Sequence, residues 1–415
     1  MTTAAPATAD IPAVDAPAAE RVRKAKALLM DVVERCSKDR HALFPADAML
    51  VADGKPKGVV LFGLRSPTLG EHLRAVEQVV AATPGLEMRA LVDDAPAELA
   101  LGPTHLPVLT PKAFFEQADR YRDCIVVDRY STWMPGVKYK AKLRQAGIPF
   151  MRLEQFLNAP GLANLPGYYR GNSDYMLAHI DEHLAIENIW ADTRSAEVYY
   201  TALAGFISMD YTYFALGCDD HRERYFPSDV GYEFGENAVL ADCGAYDGAE
   251  ALIFARKTAN RFRAIHSFEP DRTSFLRLSR NMARYMAESA IDNIFCYPLG
   301  VYDRNDYLRF SGAETLVSVS DESADNGPGL RVARLDDVLD EITHLRLEIE
   351  GAEVPALRGA AGLIRAHRPT LAVSTYHLPD DFLTIHRQIE SFDLDYRYRL
   401  RHQSLEAGVL CYHCI

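Results

Sequence analysis

At 415 residues the chain is longer than one typical hydrophobic core, which sets an expectation of about two or three domains. Hydrophobic residues at 48% and charged residues at 25% mark a soluble globular protein. Acidic residues outnumber basic ones 58 to 45, a net charge of −13, which argues against a nucleic-acid binder with its basic face.

No run approaches the ~18 apolar residues of a membrane span. The N-terminus lacks the positive and apolar regions of a signal peptide, so a cytoplasmic protein with no membrane partner is expected. Seven cysteines are scattered through mostly apolar runs, as reduced core thiols would be. Cys411-Tyr-His-Cys414 alone has metal-like spacing. A structural zinc needs four ligands and no second pair accompanies it, so buried thiols of a terminal strand are the favoured reading and no metal is assigned.

Residues 1–20 are rich in Ala, Pro and Thr and are expected to be disordered. From Arg21, Val22, Ala25, Leu28, Leu29, Val32, Val33 and Cys36 recur at helical spacing. Gly58–Gly63, a helical face through Leu69, Leu73, Val76 and Val80, and Met88–Asp94 form a β-α-β unit. With further strands at Cys124–Asp128 and Pro149–Leu153, residues 21–160 are expected to form a Rossmann-like α/β domain. Its first turn, Gly63–Gly70, is a poor phosphate loop, because Pro67 and Leu69 stand where small residues belong.

Residues 161–230 are read as linker and helical connector, with Asp192 a helix N-cap. Cys218-Asp-Asp-His221 resembles a ligand set, but beside Glu223, Arg222 and Arg224 a solvated charge run is the preferred account. Residues 231–415 alternate strands and helices again, with a hairpin expected from Tyr307–Phe310 to Leu330–Ala333.

The turn from the first strand of this last domain, Ala238–Gly248, carries glycines at 244 and 248 together with Asp242 and Asp247. A diphosphate would be repelled by such acids, whereas S-adenosylmethionine has an ammonium, a sulfonium and no phosphate. Glu269 closes the next strand, where doubly wound folds place an acid on the ribose hydroxyls; capping of the following helix is the alternative. Adenosylmethionine is thus the leading cofactor expectation.

In Thr343–Ala360, Leu345, Leu347 and Ile349 alternate with Arg346, Glu348 and Glu350, although central parallel strands are usually apolar on both faces. Either Arg346 and Glu348 form an internal pair, or Glu350 and Glu353 project from the strand's carboxyl end into a ligand crevice. The second is preferred for Glu350; for Glu353 the alternative is capping or charge-complementing a helix N-terminus. His377 ends the next strand and is a candidate general base, with His402 a weaker one.

The blocks Leu240–Gly248, Ser267–Asp271, Leu347–Glu353 and Pro369–His377 resemble, in order and spacing, the FkbM family of adenosylmethionine-dependent methyltransferases. The resemblance covers about residues 230–415. It implies a class I methyltransferase fold with Asp242, Gly244 and Gly248 at the methionine end and Glu269 on the ribose. It also implies O-methylation of a sugar or natural-product hydroxyl. Arg346 and Glu348 stand where the family typically carries Lys and Asp, and Ala249 where a polar residue is common. Tyr246 is a candidate cation–π partner for the sulfonium. The competing readings are a nucleotide- or NAD(P)-dependent enzyme built on the N-terminal domain, and a ligand-binding protein without turnover. Glu350, Glu353 and Asp271 are hard donors that would suit magnesium, although no spacing demands it.

Overall fold

The computed structural model describes residues 16–39, 42–43, 57–63, 69–95, 105–128, 135–157, 174–219, 223–311, 318–320, 329–403 and 410–415. Two parallel sheets organise them. The first holds β1 (Gly58–Phe62), β2 (Glu87–Val92), β3 (Val108–Leu109), β4 (Cys124–Asp128) and β5 (Phe150–Arg152), in the order β3-β2-β1-β4-β5. All its pairings are parallel. β1 is buried throughout, and its alternate residues enter different cores, Val59 and Leu61 on one side and Val60 and Phe62 on the other. That two-sided burial is why the strand reads as an unbroken apolar run.

The second sheet begins with β6 (Val239–Cys243), β7 (Ala264–Phe268) and β8 (Ile294–Tyr297). Then β9 (Gly300–Val301), β10 (Asp306–Ser311), β11 (Ser318–Ser320) and β12 (Leu330–Ala333) form a small four-stranded sheet of their own. β10 and β12 pair antiparallel, as the expected hairpin requires, and β11 lies on the other side of β10. With β13 (His344–Leu347), β14 (Thr370–Ser374), β15 (Tyr398–His402) and β16 (Leu410–Cys414), the large sheet has the order β15-β16-β14-β13-β6-β7-β8. Its strands run parallel except β16, which is antiparallel to both neighbours.

The first helix begins at Ala16, inside the stretch expected to be disordered, and runs to Lys38. Ala25, Leu29, Val32 and Cys36, grouped by sequence with the first sheet, share a core with helix Thr193–Ser208 and the large sheet. The reason is the partner: Thr193–Ser208 is buried almost all round and needs cover on several faces. Asp192 caps that helix as expected, accepting from Ser195 N at 2.7 Å. Burial of each such Leu or Val side chain contributes about 1.5–3 kcal/mol. Of the expected linker and connector at 161–230, residues 161–173 and 220–222 lie outside the described residues, as does most of the Gly63–Gly70 turn.

Cys411 and Cys414 sit on β16, where they enter different hydrophobic cores on opposite sides of the sheet, Cys411 in one and Cys414 in the other. Burial pushes both thiols well above their ordinary value. The spacing that resembled a metal pair is therefore two inert core thiols. Asp219 of the Cys218 run accepts from Arg194 Nε at 2.8 Å, an ordinary ion pair, while Asp220, His221 and Arg222 lie outside the described residues.

Candidate active site

β6 delivers the chain to Gly244, whose backbone φ is +80°. The N–H groups of Gly244 and Ala245 both donate to Phe268 O, at 2.9 and 3.0 Å, which folds the turn against the end of β7. A Cβ on Gly244 would stand 1.8 Å from Glu348 O, a backbone atom that cannot yield, so both φ and space demand glycine. Gly248, at φ +86°, opens helix Ala249–Lys257 and faces Met282 and Leu278.

Glu269 follows β7 directly and ties two loops together. Its carboxylate accepts from Tyr246 N at 2.9 Å and from Asp271 N at 2.8 Å. Burial raises its carboxyl above the usual range although those N–H groups oppose the shift. The capping role falls instead to Asp271, which accepts from Ser274 N at 2.7 Å and starts helix Arg272–Ser289. A carboxylate has about four lone-pair sites, so Glu269 retains capacity for further donors.

Asp242 lies beneath the turn rather than at its lip. It is fully buried, and Arg346 Nη1 reaches it across the strand pairing at 2.7 Å. Burial raises the Asp242 carboxyl, and Arg346 opposes the rise. Arg346 also donates to Gly244 O at 3.2 Å and lies 4.1 Å from the centre of the Tyr225 ring. The Arg346–Glu348 pair anticipated from strand alternation does not form, because Tyr225 stands between them, stacking on one and donating its hydroxyl to the other.

At the carboxyl end of β13 the acids converge. Glu348 accepts from the hydroxyls of Tyr225, Ser374 and Tyr376 and lies 3.6 Å from His377 Nε2. Burial would raise its carboxyl, but His377 and the Ser374 and Tyr376 hydroxyls outweigh burial and hold it below the usual range. Glu353 Oε1 accepts from Ile349 N at 2.9 Å and meets His377 Nδ1 at 2.9 Å. Glu350 Oε2 stands 3.7 Å from His377 Nε2. Burial depresses the His377 imidazole, yet Glu353, Glu348 and Glu350 overcome this and hold it well above its ordinary value. Asp381, whose carboxyl burial raises strongly, accepts from the N–H groups of His377 and Leu378, both at 2.7 Å.

Glu350 differs from its neighbours in keeping a third of its side chain accessible, 30%. Its backbone is left-handed at φ +55°, an uncommon conformation for a residue with a Cβ and one that costs about 1–3 kcal/mol. Burial pushes its carboxyl up to about 7, with Glu348, Glu353 and Glu269 adding to the rise and His377 opposing it. A carboxyl with that value, partly open, is suited to exchange a proton near neutral pH.

The structure thus brings Gly244, Tyr246, Gly248, Glu269, Glu350, Glu353 and His377 to the carboxyl ends of four neighbouring strands, and sets Asp242 one layer below. His402 lies apart on β15, buried against Phe214. The Tyr246 ring has Arg277 over it at 4.9 Å, with the same guanidinium donating to its hydroxyl at 3.0 Å. Glu353, His377 and Asp381 offer donor atoms within 4.8 Å of one another. Each is already engaged within the network, and Asp271 is committed to its helix. Glu348, Tyr225, Ser374 and Tyr376 were not singled out as site residues by sequence; Glu348 was visible only as a charge in an apolar strand, and Tyr225 arrives from more than a hundred residues away.

Residues 242–400 match the protein family described as Methyltransferase FkbM domain. No curated protein matches the chain. Among solved structures, Methyltransferase FkbM from Methylobacillus flagellatus KT superposes with a TM-score of 0.77 at 23% identity, covering 95% of this chain and all (100%) of its own. That likeness shows a shared class I methyltransferase fold. A SAM dependent methyltransferase from Aquifex aeolicus reaches 0.26 at 13% identity over 49% of this chain and 96% of its own. An rRNA methylase from Streptococcus thermophilus reaches 0.28 at 12% over 44% and 86%. At those scores neither carries an argument. No described helix is long and apolar enough to cross a membrane.

Proposed function

We propose that this chain, whose residues 242–400 are a methyltransferase FkbM domain, uses S-adenosylmethionine to methylate a hydroxyl of a small molecule such as a sugar or natural product. The observation that carries the reading is a pair of carboxylates at the ends of the strands on either side of β6, near enough that Glu269 adds to the rise of the Glu350 carboxyl. Glu269 stands at the tip of β7 with lone pairs free of its two N–H partners, and Glu350 stands at the end of β13 with a carboxyl near 7.

The residues fit the cofactor. Gly244 keeps the turn free of a Cβ, Arg346 holds its carbonyl, and Glu269, with lone pairs to spare at the end of β7, would accept from the ribose hydroxyls. When bound, the cofactor would supply an electrophilic methyl group, its carbon–sulfur bond breaking so that the sulfur leaves as neutral adenosylhomocysteine. Glu350 is the group of this chain that would take the proton the acceptor hydroxyl loses. His377 is a positioning residue in this scheme: an imidazolium clasped by carboxylates is a poor base, and its charge holds Glu348 and Glu350 in place. Glu353 orients that imidazolium through Nδ1. Alignment of hydroxyl and methyl supplies much of the acceleration.

The test is methyl transfer from labelled adenosylmethionine to panels of glycosides and polyketides alongside matched amines. Methylation of hydroxyl acceptors supports the reading. Transfer confined to amines would refute the oxygen assignment.

A further inference from the structure

The five-stranded sheet carries its own cavity, apart from the methyltransferase edge. It measures about 550 Å³ and is lined by Asp94, Thr110, Lys112, Phe115, Tyr139 and Lys142, among others. Its position follows from topology. Asp94 comes just after β2, Thr110 just after β3, and Tyr139 and Lys142 lie on helix Pro135–Ala146 that follows β4. All stand beyond the carboxyl ends of parallel strands. Between β1 and β4 the strand order reverses, since β2 and β3 extend one way and β5 the other. Open parallel sheets bind ligands at that edge and that switch point.

The lining is specific in chemistry. Phe62, the last residue of β1, has Phe115 at 6.3 Å and Tyr139 at 5.8 Å between ring centroids, and Phe115 and Tyr139 lie 6.0 Å apart at 30°. Phe115 and Tyr139 line the cavity, and the buried Phe62 packs behind them. Tyr139 is 5% exposed, and its hydroxyl donates to Asp94 Oδ1 at 2.6 Å, which holds that carboxylate at the rim. Lys142 Nζ stands 5.5 Å from the Phe115 centroid, and Lys112 pairs with Glu116 at 3.8 Å on an open surface where the pair is worth little.

We propose that this cavity binds a nucleoside diphosphate, free or linked to a sugar. The half-buried Phe115 ring takes the base, Asp94 accepts from ribose hydroxyls as an acid after the second strand does in dinucleotide folds, and Lys112 and Lys142 face the phosphates. The site is separate from the methyl-donor crevice and does not depend on its assignment.

The test is calorimetric titration of ADP and of UDP-glucose into the full-length protein, with and without saturating S-adenosylhomocysteine. Binding of either probe that persists with adenosylhomocysteine present is expected, and whichever binds more tightly identifies the free or the sugar-linked form. Asp94→Ala and the double substitution Lys112→Glu, Lys142→Glu should each weaken the tighter probe at least tenfold, with unchanged melting temperature showing that the fold is kept. The proposal is overturned if neither probe binds at millimolar concentration, if adenosylhomocysteine displaces the probe, if inorganic pyrophosphate binds as tightly, or if the variants bind like wild type.

Discussion

The two parallel sheets present the same topological edge in opposite surroundings. At the end of β13 and β14, Glu353, His377 and Asp381 are almost wholly buried, Glu350 is held in a left-handed conformation, and the acids shift one another. At the end of β2 and β3 the charged groups stand in solvent beside Phe115 and Tyr139. The first edge has its protons tuned by burial, which suits chemistry; the second sets exposed charged side chains beside aromatic rings, which suits recognition. Topology chooses where a ligand goes, and desolvation decides whether anything is done to it.

The sharpest way to break this contrast is to remove the buried cation of the large sheet. Arg346→Ala leaves Asp242 without its partner in a dry core and is expected to destabilise the protein by about 3–5 kcal/mol, read from urea unfolding. A matching loss in methyl-donor affinity follows from the freed Gly244 carbonyl. A second variant, Glu350→Gln, should lower kcat by about 10²–10⁴-fold with adenosylmethionine affinity nearly intact. The raised Glu350 carboxyl also fixes a pH signature. Ionisation occurs above about 7, so kcat/KM should rise through that value in the wild type. For stability the sign is the reverse: a raised acid contributes below its unfolded value near 4.5 and loses that contribution as pH rises through about 7.

His377 gives a smaller and separable effect. Its imidazole is held well above 6.5 in the fold, so its stabilising contribution is complete below 6.5 and is lost only as pH rises through the higher folded value. Urea midpoints of wild type and His377→Gln, measured from roughly pH 6 to 10, should therefore converge at the alkaline end. Divergence there would show that the carboxylates do not hold a proton on the ring. On the first sheet, Thr110→Ala removes the side-chain acceptor of Ala113 N and should cost about 1 kcal/mol, the smallest of these changes.

Much of this architecture is legible in residues alone, because apolar runs and glycine turns report local geometry. Gly244, Gly248 and Glu269 sit where spacing placed them, and Asp192 caps its helix. What spacing cannot carry is the partner across a strand. Asp242, expected at the methionine end, is buried opposite Arg346 in the strand register and pairs with its guanidinium. His377, a candidate base by its place at a strand end, is ringed by three carboxylates from one neighbouring segment, which hold its imidazole above the ordinary value. Glu348 gains its role from hydroxyls delivered by Tyr225, Ser374 and Tyr376, two of them on the next segment and one from the connector. The first helix presents the same lesson in packing: its stripe was clear, and the surface it covers was set by another helix.

The central claim is that the Gly244–Gly248 turn and Glu269 form the methyl-donor site. Calorimetric titration of S-adenosylhomocysteine into wild type and Glu269→Gln addresses it directly. The account predicts one site per chain in the wild type and at least a tenfold loss in the variant, about 1.4 kcal/mol, with the melting temperature retained. No binding by the wild type, or equal binding by both proteins, would contradict it.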